Sequence, residues 1–322
     1  MSVLSKAYMH DEAAAFAHVE SIIWPDGPVC PHCGVVDRAY PLTGVRSKPS
    51  KKNPEGVERH GLWKCRECRK QFTVRKGTIF EESHIPMHKW LQAIHLMVSS
   101  KKGISSHQLH RVLEITHKSA WFMSHRIREA MRTDGDFDFG AGGGMVEVDE
   151  TFIGNDPERR KKKNQRHYHH KQKLVTLVDR NSGTARNFVL DNINQKTLRP
   201  ILEANLAREA VLMTDEAGWY KALGKDYADH QTVQHRAKEY VRRDNPMIHT
   251  NTIEGYFSIF KRGMKGVYQH CSKKHLHRYA AEFEFRYNNR LANGVEDAER
   301  GEIALRAVVG RRLTYNRTDF AR

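Results

Sequence analysis

The sequence predicts a multidomain chain of mixed α+β and α/β character, with a small module and a helical segment ahead of a mixed sheet flanked by helices. Three observations predict it. Two Cys-x-x-Cys pairs, Cys30/Cys33 and Cys65/Cys68, mark a metal-knuckled module near the start. Helical periodicity fills residues 84–133 and stops at a glycine-rich, acidic run, DGDFDFGAGGG, at 134–144. Three strand-like runs, a helix, a strand and further helices come after that run. The expected segments are an N-terminal helix at 1–28, the cysteine module at 29–80, a helical region at 84–133, a linker at 134–144 and a sheet domain at 145–322.

Taken in order, residues 1–28 read as a short amphipathic helix (Ala13, Phe16, Ala17, Val19, Ile22, Ile23) ending near Pro25. The knuckles follow, separated by 31 residues that include a polar insertion, RSKPSKKNPEGVERHG, expected as a disordered hairpin tip. Trp90, Ile94 and Met97 define one helix face, with Leu91 and Val98 beside it. A second helix carries Leu109, Val112 and Leu113 after a Ser105–Ser106 cap signal, and a third carries Ala120, Met123, Ile127 and Ala130 after Thr116. Beyond the glycines, MVEVDETFIG, KLVTLVDR and ARNFVLDNI read as strands, 195–207 as a helix, AVLMTDE as a buried strand and QTVQH as a short fifth strand. From about residue 252 the pattern is helical.

Charge narrows the function. The 322 residues hold 54 Lys and Arg against 38 Asp and Glu, a net of +16. A field of that sign favours phosphate-rich partners, since each neutralised phosphate releases condensed counterions. Two stretches concentrate it: 156–173 and 261–290 each hold eight basic residues against two acids. No apolar run approaches the roughly 18 residues of a membrane span, and the acidic start lacks an apolar signal core. Without secretion the paired cysteines read as metal ligands rather than disulfides. Each Cys-x-x-Cys aims two thiolates at one point, so Cys30, Cys33, Cys65 and Cys68 supply the four sulfurs of a structural Zn²⁺ ribbon. Cys271 has no nearby partner and reads as a packing residue.

The helices at 103–131, broken around Glu114–Thr116, suit a helix-turn-helix whose second helix enters the major groove with His117, Lys118 and Ser119. Arg159, Arg160, Lys161, Lys162 and Lys163 fall between the first two strands, and read as a clamp on the DNA backbone. His167, His169 and His170 lie in too positive a setting to hold a metal. Tyr279, Phe283 and Tyr287, four residues apart, read as core packing rather than base stacking.

Three acids carry the candidate chemistry. Asp149 and Asp215 end apolar strands with 65 residues between them, and Glu254 opens a helix after 38 more intervening residues. A carboxylate at each of two strand ends and one on a following helix is how a ribonuclease-H-like sheet holds two Mg²⁺ ions for in-line phosphoryl transfer. Asn251, Glu254, Ser258 and Lys261 share one helix face, which places Lys261 to hold a phosphate beside the metals, with Arg262 next to it. A structural alternative stands beside this: Asn251-x-x-Glu254 also fits a capping box. Glu147 shares a strand face with Asp149 and competes weakly, whereas Glu150 points to the opposite face.

The motifs CPHCG, WKCRECRKQFTV, GTIFEESHIP, KKGISSHQLHR, VEVDETFIG, LMTDEAGWY, HTNTIEGYFSIFKRGMKGVYQH and HRYAAEFEFRYNNR occur in this order, and the similarity runs from about residue 15 to 315. Together they resemble the ISXO-like DDE transposases of bacterial insertion sequences. The resemblance implies a zinc ribbon and an acidic triad carried onto Asp149, Asp215 and Glu254, with Asn251 and His249 as alternatives for the third ligand position. It further implies Mg²⁺-dependent cleavage and strand transfer, with Mn²⁺ as a substitute ion. The implied partners are double-stranded DNA, as terminal inverted repeats and target, and further copies of the chain in a synaptic complex. The implied setting is the bacterial cytoplasm, at the nucleoid. Two other classes fit the same residues: a metal-dependent nuclease without strand transfer, and an inactive zinc-ribbon DNA-binding regulator.

Overall fold

The computed structural model describes residues 2–51, 53–135, 137–156, 159, 169–237 and 239–314. The chain forms two compact units, one from Met1–Ser100, Ile104–Met131 and Glu296–Arg322, the other from Lys101–Gly103 and Arg132–Val295.

In the first unit, α1 (Glu12–Ile23) starts where Asp11 Oδ1 accepts the Ala14 N–H at 2.7 Å. Three short antiparallel strands follow, β1 (Ala39–Pro41), β2 (Trp63–Cys65) and β3 (Gln71–Phe72). So small a sheet buries little by itself, and Trp24 closes it by edge contacts to Trp63 and Phe72 at ring centroid distances of 6.3 and 5.8 Å. The insertion expected to be a disordered tip is instead a hydrogen-bonded hairpin in its described residues. Ser47 N–H donates to Val57 O and Arg59 N–H to Val45 O, each at 2.8 Å, across an Arg46–Glu58 bridge. Gly56 makes the turn possible: its φ is +72°, and a Cβ there would meet Ser47 O at 2.2 Å.

Three helices follow, α2 (Met87–Ser99), α3 (Ser106–Leu113) and α4 (His117–Ala130). Both sequence-read caps form: Ser105 Oγ accepts the Gln108 N–H and Thr116 Oγ1 the Ser119 N–H, each at 3.1 Å. Between them Glu114 takes a left-handed φ of 50°, which ends α3 and turns the chain into α4.

The second unit holds β4 (Met145–Ile153), β5 (Gln172–Asp179), β6 (Thr184–Leu190), α5 (Gln195–Asn205), β7 (Val211–Asp215), α6 (Tyr220–Leu223), β8 (Asp229–Val233), α7 (Asn251–Gly263) and α8 (Lys273–Asn288). Its strand order is β6-β5-β4-β7-β8. The first three strands pair antiparallel, and β4, β7 and β8 run parallel. This is the ribonuclease-H-like mixed sheet with flanking helices that the order of runs predicts. Strand periodicity assigns the faces. Val146, Val148, Val175 and Leu177 pack with Leu198, Leu202 and Tyr220, while Leu174 and Val178 on the other face pack with Ile253, Phe257, Phe260, Leu276 and Phe283. Tyr279 and Phe283 lie in that second cluster with Tyr287 against it, so the aromatic stripe is core.

Two expected boundaries move. The glycine-rich run belongs to the sheet unit. Phe137 and Phe139 pack on its core, and Phe139 exchanges backbone hydrogen bonds of 2.9 Å with Asn205 and Ala207. Two aromatic rings among the glycines are enough to seat the segment. The sheet unit also ends at Val295 rather than at the chain terminus. The last helix, α9 (Asp297–Arg306), buries Ala304 and Leu305 in the first unit, where buried Arg300 donates to Val98 O at 3.1 Å. The strand-like tail continues this, with Gly310 N–H donating to Gly77 O at 2.8 Å.

Candidate functional site

The cysteines meet at the ribbon's open end. Their four sulfurs all lie within 4.8 Å of one another, with Cys30–Cys68 and Cys33–Cys65 separations of 3.6 and 3.7 Å. A tetrahedron built on Zn–S bonds of about 2.3 Å has edges of about 3.8 Å, so the set fits zinc. Cys65 and Cys30 are buried, and β2 delivers Cys65 at the end of its pairing with β1.

The three acids approach one another at the adjacent inner strands β4 and β7 of the mixed sheet. Parallel pairing aligns Met145 with Val211 and Glu147 with Met213, and the same register carried two residues further brings Asp149 level with Asp215. Equal parity puts both on one face, the face covered by α7. Glu254 stands in the first turn of α7. Burial holds the Asp149 carboxyl well above the usual carboxylate range, and the charges of Glu150, Asp215 and Glu254 push the same way. Repulsion of that kind is what a bound cation relieves. Among the described residues only the four cysteines bring three or more ligand atoms within 4.8 Å of one another, and the three carboxylates do not meet that spacing.

Glu147 is committed elsewhere. It is fully buried, its Oε1 lies 2.5 Å from Arg180 Nε, and its Oε2 accepts the Ile253 N–H at 2.8 Å. Arg180 also donates to Met247 O and His249 O, each at 2.6 Å. Together the pair fastens the entrance of α7 to the strand that carries Asp149. His249 serves the same clamp. Its Nδ1 faces Arg180 Nη2 at 2.8 Å and the Asn251 N–H at 3.3 Å, both donors. Nδ1 must therefore offer its lone pair, which puts the ring proton on Nε2 and argues against His249 as a ligand. The capping-box alternative also fails. The helix starts at Asn251 itself after Thr250, whose side chain makes no cap hydrogen bond, so Asn251 is one residue too late to cap it.

Arg180→Met is expected to strand the buried Glu147 charge and lower the melting temperature, since breaking a buried pair costs about 3–5 kcal/mol. Adding Glu147→Gln removes the stranded charge while keeping an acceptor for Ile253, and should restore part of the loss. Calorimetry checks this. A melting temperature unchanged from wild type would rule out the clamp.

Glu150 does turn to the opposite face, where the Tyr220 hydroxyl donates to it at 2.9 Å. It remains within reach of the acids: burial first, then the Asp215 charge, pushes it up to about 7. Two further residues escaped the sequence reading. His235, just after β8, places Nε2 3.5 Å from Glu254 Oε1 and donates its backbone N–H to Glu216 Oε2 at 2.8 Å. Tyr240 lies over His235, with ring centroids 5.4 Å apart. A cleft of ≈ 350 Å³ adjoins Asp215, lined by Glu216, Lys221, His230, Thr232 and Gln234.

The candidate DNA contacts are scattered. His117 is exposed and stacks on His107 with centroids 4.0 Å apart, while Ser119 is tied into the Thr116 cap. Lys118 is exposed at the same helix start. Arg159 pairs with Asp156 at 3.5 Å and with Asn192 at 3.1 Å. Arg160, Lys161, Lys162 and Lys163, with His167, lie outside the described residues. Lys261 sits two turns beyond Glu254 with Nζ 5.7 Å from the Phe257 ring centre, and Arg262 donates to Ser258 Oγ at 2.7 Å.

Asp149 lies in the middle of β4 rather than at its end as expected, because the pairing with β5 runs on to Ile153, while Asp215 does end β7. A four-thiolate ribbon in one unit and a mixed sheet with acids on two neighbouring strands in the other match one class, the DDE transposases with a zinc ribbon. Residues 142–288 match the ISXO2-like transposase domain and residues 10–71 the transposase zinc-ribbon domain. The chain belongs to this family of insertion-sequence transposases. A protein in the transposable element ISH50 of Halobacterium salinarum is 23% identical over 300 residues, covering 87% of this chain and 92% of that protein. Among solved structures, a chain of a pre-cleavage Mos1 transpososome matches with a TM-score of 0.27 and 12% identity, over 69% of this chain and 75% of that one. A chain of the simian T-cell lymphotropic virus intasome in complex with PP2A regulatory subunit B56 gamma also gives 0.27, at 14% identity, over 55% of this chain and 63% of that one. No helix among the described residues is long and apolar enough to cross a membrane.

Proposed function

We propose that this transposase cuts the ends of an insertion sequence and joins them to target DNA, using Asp149, Asp215 and Glu254 to hold two Mg²⁺ ions. The observation that carries the reading is that Asp149 and Asp215 share the sheet face covered by α7, which carries Glu254, and that Asp215 and Glu254 both raise the cost of ionising Asp149. All three offer hard oxygen ligands, which suit Mg²⁺ and accept Mn²⁺. When bound, the metal pair activates the attacking oxygen and stabilises the leaving oxygen of an in-line displacement. The protein's share is placement. β4 and β7 fix two carboxylates side by side, and the Glu147–Arg180 clamp sets the third against them. Lys261, on the Glu254 helix, holds a phosphate of the bound strand.

Recognition falls to the first unit. The start of α4, with His117, Lys118 and Ser119, reads base edges of the terminal inverted repeat, and the basic ribbon holds the backbone. Arg159, Arg160, Lys161, Lys162, Lys163 and Arg262 add contacts to the DNA backbone. Two ends must be handled together, so two or more copies assemble on DNA. The test is a strand-transfer assay with the element's own ends and Mg²⁺. Joined products are expected. Cut ends without joining would leave a nuclease, and intact ends a DNA-binding regulator.

A further inference from the structure

Beside the carboxylates, residues 240–249 form a braced hairpin. Val241 bridges His249, Arg242 N–H donates to Ile248 O at 3.0 Å, and Ile248 N–H closes the turn on Asn245 O at 3.0 Å. Side chains tie it down from three directions. Arg242 donates to Gln231 on β8 at 2.7 Å, Arg180 holds Met247 O at 2.6 Å, and buried Ile248 packs with Met213 and Val233. Yet this fixed hairpin turns Tyr240, Val241 and Met247 to solvent, at 54%, 36% and 54% exposure. They are three of the nine large apolar side chains exposed among the described residues. Single exposed apolar residues need no explanation, but three on one anchored hairpin at the edge of a reactive site do.

Their position says what would cover them. Tyr240 is over His235, which touches Glu254, so its ring flanks the place where a phosphate must sit for the proposed chemistry. Arg243 is exposed at the same hairpin. An exposed aromatic ring, an exposed cation on the same hairpin and the proposed phosphate site next door suit one nucleotide: base on the ring, backbone on the charge. Paired bases hide their faces inside the duplex, so the nucleotide must be unpaired. Resting on the functional reading above, we infer that the 240–249 hairpin is a stacking platform for an unpaired nucleobase next to the phosphate that is cut, with Tyr240 as the stacking ring. The platform favours DNA ends whose last base pairs are open.

The test uses the full-length protein with Ca²⁺ in place of Mg²⁺, so that binding is read without cutting. Fluorescence anisotropy compares an element end with a fully paired terminus against one whose last three base pairs are mismatched. Wild type and Tyr240→Phe should prefer the open end by about tenfold, and Tyr240→Ala should lose that preference while binding paired ends as before. Tyr240 is exposed, so Tyr240→Ala leaves the core intact, and an unchanged melting curve checks this. Equal binding of both ends by wild type, or a preference surviving in Tyr240→Ala, overturns the platform. A Tyr240→Ala protein that keeps the preference but sediments as a smaller assembly also overturns it, and assigns the face to a second copy of the chain. If the carboxylate reading is what fails, Asp149→Ala still cuts DNA in Mg²⁺ while the open-end preference persists.

Discussion

Cys65→Ser protein is expected to lose zinc and ordered ribbon structure together. The four sulfurs already stand at tetrahedral spacing, and little else holds the module: its strands are two and three residues long, and its buried core is Cys30, Cys65 and Phe72. Structural zinc in peptide sites contributes about 10–16 kcal/mol at neutral pH, whereas a whole domain is usually stable by about 5–15 kcal/mol. Metal binding therefore outweighs everything the ribbon's own packing supplies. Elemental analysis should find one Zn²⁺ per wild-type chain and about none in Cys65→Ser. Limited proteolysis should then cut the variant within residues 29–80 first. Removing zinc with a chelator should do the same to wild type. Well-folded wild-type protein without zinc would refute the assignment.

The parts legible in the sequence are those set by local rules. Val146 and Val148 alternate with Glu147 and Asp149, so both faces of β4 were fixed by parity. Ser105 and Thr116 announced two helix starts because a cap reaches only two or three residues. The paired cysteines were legible because each knuckle is itself local. What escaped is long-range. Arg180 clamps Glu147 from 33 residues away and Met247 from 67, and nothing near Arg180 in the sequence marks it. His235 reaches Glu254 only because the chain folds back between β8 and α7. The final helix fell within the stretch read as helical, but helicity does not say which unit a helix will cover, and α9 covers the first. The Asn251 cap was misjudged by a single residue, because a cap motif tolerates no shift and α7 starts one position early.

Full-length Asp149→Ala is expected to bind the element's ends with near-normal affinity and to lose cleavage and joining together. Binding survives because phosphate and base contacts far outnumber those made at the carboxylates. Removing one of four mutually repelling acids should not harm the fold, since Asp149 is held above the ordinary carboxylate range by burial and by Glu150, Asp215 and Glu254. Catalysis does not survive. A metal pair is worth several kcal/mol of transition-state stabilisation, and each 1.36 kcal/mol is tenfold in rate, so the loss should be about 10³-fold or more. Both reactions should fall by the same factor, because hydrolysis at the end and attack on the target use one set of ligands. Asp215→Ala and Glu254→Ala should behave alike, and Glu150→Gln should not, since Glu150 faces Tyr220 on the other side of the sheet. Gel shifts in Ca²⁺ measure binding, and gel assays of cleavage and joining in Mg²⁺ measure the chemistry. A first-unit fragment ending at residue 133 is the wrong control here: it lacks α9, which that unit needs to bury its core. Strong cleavage by Asp149→Ala would remove the triad, and loss of cleavage with joining retained would show that the two steps do not share a site.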